Sequence, residues 1–212
     1  MSVVTIRGQS GSGAPEIGRQ VAKGLAIDYV DREIIAEVAA RLHLQEQDII
    51  TKEMPPGTIM GRIAEVLARA GGYGFGEGIG GTYLPTWQIP LDDDRYFRAL
   101  ESVVRELARS RSLVIMGRGS QFILKEHPGS LHVFVVAPLE VRVKRIMQDL
   151  NMDKEAAGQE VARIDGSHQE FIKRYFHAEL EDPVHYDLVI NTGRLSFEAA
   201  ASTVINTFGP GS

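Results

Sequence analysis

Short β-branched or apolar runs alternate along this chain with longer segments of helical spacing, which predicts an α/β fold, a parallel sheet covered on both faces by helices. Two further observations point the same way. Residues Leu131–Val136 are almost continuously apolar, as suits a strand buried on both sides. The first such run, Val3–Ile6, leads directly into a glycine-rich turn and then a helix.

The elements follow in order. After Val3–Ile6 comes a helix over Glu16–Leu25, and Pro15 suits its first turn, where a missing amide hydrogen costs the helix nothing. Asp28–Val30 is a weaker strand. Arg32–Leu42 has helical spacing, with Asp31 placed directly before it. Thr58–Ala70 and Asp94–Arg109 are the next helices. Between them lies Gly71–Gly81, in which seven of eleven positions are glycine, so it reads as a mobile loop or a flap over a substrate. Leu113–Met116, Leu131–Val136 and Asp187–Ile190 complete the strands, and Leu139–Leu150, Lys154–Phe176 and Phe197–Phe208 complete the helices. Residues 209–212 cannot extend the last helix and are expected to be a flexible tail.

A length of 212 residues and a hydrophobic content of 43% suit one globular domain, here residues 1–208. A net charge of -5 argues against a nucleic-acid partner. The chain has no cysteine, which excludes disulfides, thiolate metal sites and thiol nucleophiles. No run approaches the roughly 18 apolar residues of a membrane span, so no membrane partner and a cytoplasmic location are expected.

The chemistry concentrates in the turn after the first strand, where Gly8, Ser10, Gly11, Ser12, Gly13 and Ala14 are the candidate nucleotide-binding residues. Glycines let successive amides curl inward, and the positive end of the following helix adds to an anion cradle. Against the full phosphate-loop pattern, Gly8 and Gly13 match, while Ala14 and Pro15 replace the lysine and the hydroxyl residue. The lysine normally neutralises the terminal phosphates and the hydroxyl holds magnesium. The turn is therefore either a phosphate site built from backbone alone or a glycine-rich packing turn.

Several later blocks resemble the cytidylate-kinase-like family of P-loop nucleoside monophosphate kinases. They are Ile17-Gly18-Arg19-Gln20-Val21-Ala22, Tyr29-Val30-Asp31-Arg32-Glu33-Ile34-Ile35, Val114-Ile115-Met116-Gly117-Arg118-Gly119, Ala137-Pro138-Leu139-Glu140-Val141-Arg142 and Asp182–Thr192. Members of that family carry a loop without the lysine. The resemblance implies a three-layer P-loop fold with a five-stranded parallel sheet of order 2-3-1-4-5. It also implies a helical acceptor-side insertion over about 32–111, a helical lid over about 142–178, and nucleotide sites at the carboxyl ends of the strands. By the same resemblance, ATP with Mg2+ would phosphorylate a nucleoside monophosphate. Gly8 to Gly13 would hold donor phosphates, Asp31 and Arg118 would bind the acceptor, and Arg118, Arg142, Asp165 and Arg174 would form the catalytic set, with Arg163 and Lys173 also in the lid. No protein metal ligand is expected, because His168, His177 and His185 lack a zinc spacing.

The residues leave alternatives open. Arg118, between two glycines after a strand, suits a phosphate or base contact, or a structural ion pair. Asp31 is an acceptor contact or a helix cap. Arg142 and Arg145 share a helix face and either clamp phosphate or solvate the helix, and Lys173-Arg174 pose the same choice. If catalysis holds, Arg118 and Arg142 should point toward Gly8–Gly13. His168 stands where relatives often carry a lid arginine and reads as an exposed helical histidine. Gly119 replaces the base-contacting aspartate of ordinary cytidylate kinases, and Ala36 and Glu37 replace a tyrosine-arginine pair. Arg7 and Lys23 are near the loop in sequence, which does not establish reach. Tyr83, Trp87, Tyr96 and Phe97 could form the interface of a homo-oligomer or be core. Two readings compete with a kinase: a nucleotide-binding sensor or regulatory module that kept the fold and lost efficient transfer, and a structural protein without a nucleotide site.

Overall fold

The first strand, β1 (Val3–Gly8), is the middle of the sheet. In the computed structural model, which describes residues 1–42 and 93–208, it pairs in parallel with β3 (Leu113–Met116) on one side and β4 (Ser130–Val136) on the other. β2 (Asp28–Val30) adds beyond β3, and β5 (Leu188–Asn191) beyond β4, giving the parallel order β2-β3-β1-β4-β5. This is the expected order. The expected helix Thr58–Ala70, the loop Gly71–Gly81, Tyr83, Trp87 and the tail 209–212 lie outside the described residues.

The side-chain alternation of a strand sorts the core into two layers. Val3, Val30, Leu113 and Ile115 face a layer closed by α2 (Arg32–Leu42) and α3 (Asp93–Ser110), which contribute Ile34, Val38, Leu100 and Val104. Val4, Ile6, Val114, Met116, Val133 and Val135 face the opposite layer. There α1 (Ala14–Leu25) brings Ile17 and Val21, and α7 (Phe197–Phe208) brings Ala200 and Val204. Each fully buried aliphatic side chain of this kind is worth about 1.5–3 kcal/mol. Tyr96, one of the aromatics expected at an interface or in the core, is fully enclosed in the first layer, and its neighbour Phe97 stacks on Tyr175 at 5.5 Å.

A four-residue helix, α4 (Ser120–Ile123), follows β3, and two longer helices, α5 (Leu139–Leu150) and α6 (Lys154–Phe176), follow β4. The Asp153 side chain accepts the Ala156 amide to start α6, and His177 in the left-handed region ends it. Because the strands are parallel and in register, Gly8, Asp31 and Gly117 all emerge at one edge of the sheet. The Gly117 amide donates to the Ile6 carbonyl at 2.9 Å, which sets Gly117 beside Arg7. Among the described residues no helix is long and apolar enough to cross a membrane.

Candidate phosphate loop and acceptor cavity

The loop between β1 and α1 is built by close approach. Gly13 has φ 86°, and a Cβ there would lie 2.3 Å from the Phe197 ring; at Gly11, φ 77°, it would lie 2.7 Å from the Arg142 carbonyl oxygen. Packing alone therefore demands both glycines. Arg145 braces the same loop by donating to the carbonyls of Gly11 (3.1 Å) and Ser12 (3.2 Å) and to Thr192, while its guanidinium lies over Phe197. The Thr192 hydroxyl donates to the Ser12 carbonyl at 2.7 Å. The amides of Gly11 and Gly13 meet no protein acceptor among the described residues.

Arg142 is a brace as well. It is buried, donates from Nε to the Ala137 carbonyl and from Nη1 to the Ser10 carbonyl, and pairs with Asp165 at 2.6 Å. It does reach the loop, as expected, but it grips a carbonyl and a carboxylate. Asp165 in turn accepts the Ser10 amide at 2.8 Å, so a lid-segment carboxylate already sits on one of the loop's N–H donors.

Beside the loop, at the ends of β1, β2 and β3, a cavity of about 370 Å³ is lined by Arg7, Pro15, Asp31, Arg118 and His168, with Phe171 and Ile172 closing its apolar side. The volume falls within the range of small-molecule sites. Arg118 stands at φ 59° between Gly117 (φ 68°) and Gly119 (φ 67°), three successive residues in the left-handed region. For a non-glycine residue that costs about 1–2 kcal/mol, and strain of this kind gathers at functional sites. Its guanidinium lies 3.7 Å from Asp31. Burial pulls the Arg7 guanidinium down to about 10, against the nearby phenol of Tyr186 and carboxylates of Asp165 and Asp31.

His168 corrects its reading as an exposed helical histidine. Its ring turns inward to line the cavity, and burial, followed by the charges of Arg7 and Arg118, holds the imidazole well below its ordinary pKa. Arg7 was legible in one respect: a charged residue near the end of a strand buried on both faces needs a pairing or functional reason. Lys23 is exposed in the last turn of α1, away from the loop. Arg174 is exposed in the last turn of α6 over the Tyr175 ring at 5.8 Å and does not line the cavity. Lys173 pairs with Glu179 at 3.0 Å, and Arg163 with Glu160 at 2.6 Å.

Gly119 has a steric cause. A Cβ there would fall 2.3 Å from the Phe176 ring, so the end of α6 occupies the space that a side chain at 119 would need. A second cavity, about 310 Å³, is lined by Gly8, Gln9, Asp165, Glu179 and Glu181. It is acidic. No group of three or more acidic or histidine side chains among the described residues could hold a metal ion.

The residues fit a polyphosphate at the loop through backbone only. Gly11 and Gly13 offer amides, Pro15 offers none, and Ala14 is buried and uncharged. A parallel sheet of this order with a glycine loop between β1 and α1 defines a P-loop kinase fold. The profile described as the Cytidylate kinase-like family matches residues 3–194, and the chain belongs to that family. Among curated proteins, it is 30% identical over 123 residues to a cytidylate kinase of Natronomonas pharaonis, covering 56% of this chain and 64% of that one. It is 25% identical over 201 residues to a cytidylate kinase of Staphylothermus marinus, covering 93% and 91%. A uronate isomerase of Corynebacterium glutamicum is 32% identical over 95 residues, 45% of this chain and 18% of that protein. The chain thus spans less than two thirds of the first curated relatives it matches. An uncharacterized protein from Eubacterium ventriosum has the same fold, with a TM-score of 0.69 at 17% identity over 98% of both chains.

Proposed function

We propose that the protein transfers a phosphoryl group from ATP to a nucleoside monophosphate or a related small acceptor. One observation carries this reading: two guanidinium groups, Arg7 and Arg118, line a ligand-sized cavity that opens beside the phosphate loop. Phosphoryl transfer asks a protein mainly to align two phosphates and stabilise the charge between them. The loop amides of Gly11 and Gly13 hold the donor, the Arg118–Asp31 pair orients the acceptor, and Arg7, between the two, supplies charge that Ala14 lacks. Asp165 leaves the Ser10 amide when the donor binds, which makes α5 and α6 the lid. Mg2+ would enter with the nucleotide, neutralising its phosphates. The -5 net charge and the family support small nucleotides rather than nucleic acid as partners, and the enzyme is read as cytoplasmic. Phe176 behind Gly119 argues for an acceptor read differently from cytosine in ordinary cytidylate kinases.

The sensor reading is favoured by a separate observation, the Asp165 carboxylate seated on the loop. A panel of nucleoside monophosphates with ATP and Mg2+, product followed by chromatography, decides between them. Turnover of at least one acceptor, lost in Arg118→Ala, is the expected result. Nucleotide binding without turnover of any acceptor would establish the sensor.

A further inference from the structure

The lining of the acceptor cavity is unbalanced. Among the described residues it carries two guanidinium groups, Arg7 and Arg118, against the single carboxylate of Asp31. In addition, Arg7 Nη2 and His168 Nδ1 are enclosed and have no hydrogen-bond partner among the described residues. Buried donors are rarely left unsatisfied without reason, because each costs about 1–3 kcal/mol. The two side chains come from opposite walls, the end of β1 and the inner face of α6, and Arg7 is close enough to His168 to disfavour its protonation.

Resting on the phosphoryl-transfer reading of this cavity, we propose that Arg7 and His168 form an oxyanion clamp that holds the phosphomonoester group of the acceptor. The planar fork of Arg7 suits paired hydrogen bonds to phosphate oxygens, and His168 donates from Nδ1 to the same group. His168 is held neutral chiefly by burial and then by the charges of Arg7 and Arg118, and a dianion between it and Arg7 offsets that repulsion. Protonated His168 then adds a second charge, so binding and proton uptake are linked. The charges acting on His168 are those of Arg7 at the end of β1 and Arg118 after β3, with Asp31 after β2 lining the same cavity, while Asp165 and Tyr186 act on Arg7.

The test is direct titration of His168 by NMR in the whole protein, with and without inorganic phosphate, AMP or CMP, and with acetate as a carboxylate probe. Phosphate and the monophosphates should raise the His168 midpoint by about one pH unit, and acetate should move it less. Arg7→Gln should weaken phosphate binding at this site by about ten- to hundredfold. Arg7→Lys, which keeps charge without the fork, should lose less and serves if the glutamine variant does not fold. His168→Gln should bind phosphate with a flatter pH dependence between about 5 and 7. A His168 midpoint unmoved by phosphate, or phosphate binding within about twofold of wild type in Arg7→Gln, overturns the clamp. A larger response to acetate also overturns it in favour of a carboxylate acceptor. Failure of all turnover with an intact His168 response removes the kinase reading and leaves the clamp. Turnover with no response removes only the clamp.

Discussion

Asp165→Asn separates stability from ligand binding, because the same carboxylate holds Arg142 and covers the loop. Removing one charge from a well-buried pair costs about 3–5 kcal/mol. Here Arg142 is 9% exposed and Asp165 25%, Arg142 keeps its bonds to Ala137 and Ser10, and the asparagine oxygen still accepts the Ser10 amide. A loss of about 1–3 kcal/mol is therefore expected, lowering the unfolding midpoint by about 3–10 °C. Nucleotide affinity should move the other way. A negative charge about 5 Å from a bound phosphate opposes it by about 3 kcal/mol at an effective dielectric of about 20, before screening. Its removal should tighten ADP or an ATP analogue by about tenfold. Thermal unfolding and titration calorimetry on the variant measure both. If affinity falls together with stability, Asp165 is part of the binding machinery and the reading of it as an occupant of the anion site is refuted.

Arg145→Met removes donors to the Gly11 and Ser12 carbonyls and to Thr192, and should cost about 2–4 kcal/mol by chemical denaturation while abolishing nucleotide binding. Gly119→Asp should not confer cytosine preference, because its Cβ meets Phe176; a loss of about 3 kcal/mol or more is expected, and a stable, CMP-selective variant would contradict it. His132 and His168 both have pKa values held below the ordinary value, chiefly by burial, so the unfolded chain binds more protons than the folded one below about pH 6.5. Stability should fall as pH drops from about 7 to 5, with a slope of up to about 1.4 kcal/mol per pH unit for each histidine. Denaturation at several pH values checks this, and His168→Gln should flatten the curve.

Much of the fold is local information, and the sequence by itself determined it. Short, nearly continuous apolar runs such as Val3–Ile6 and Leu113–Met116 suit strands buried on two faces, and glycines flanking Ser12 suit a tight turn before a helix. Direction of side chains was not legible. Arg142 and Arg145 share a helix face, yet only the packing of α5 against the loop makes both of them braces of its carbonyls. Asp165 reads as a lid residue until α6 places it on the Ser10 amide. Arg7 and His168, at opposite ends of the chain's order, meet because parallel crossovers bring the strand ends to one edge and α6 folds back over it. That convergence depends on register and packing, which residues far apart decide jointly, so only the tertiary structure could turn a strand-end arginine and a helical histidine into walls of one cavity.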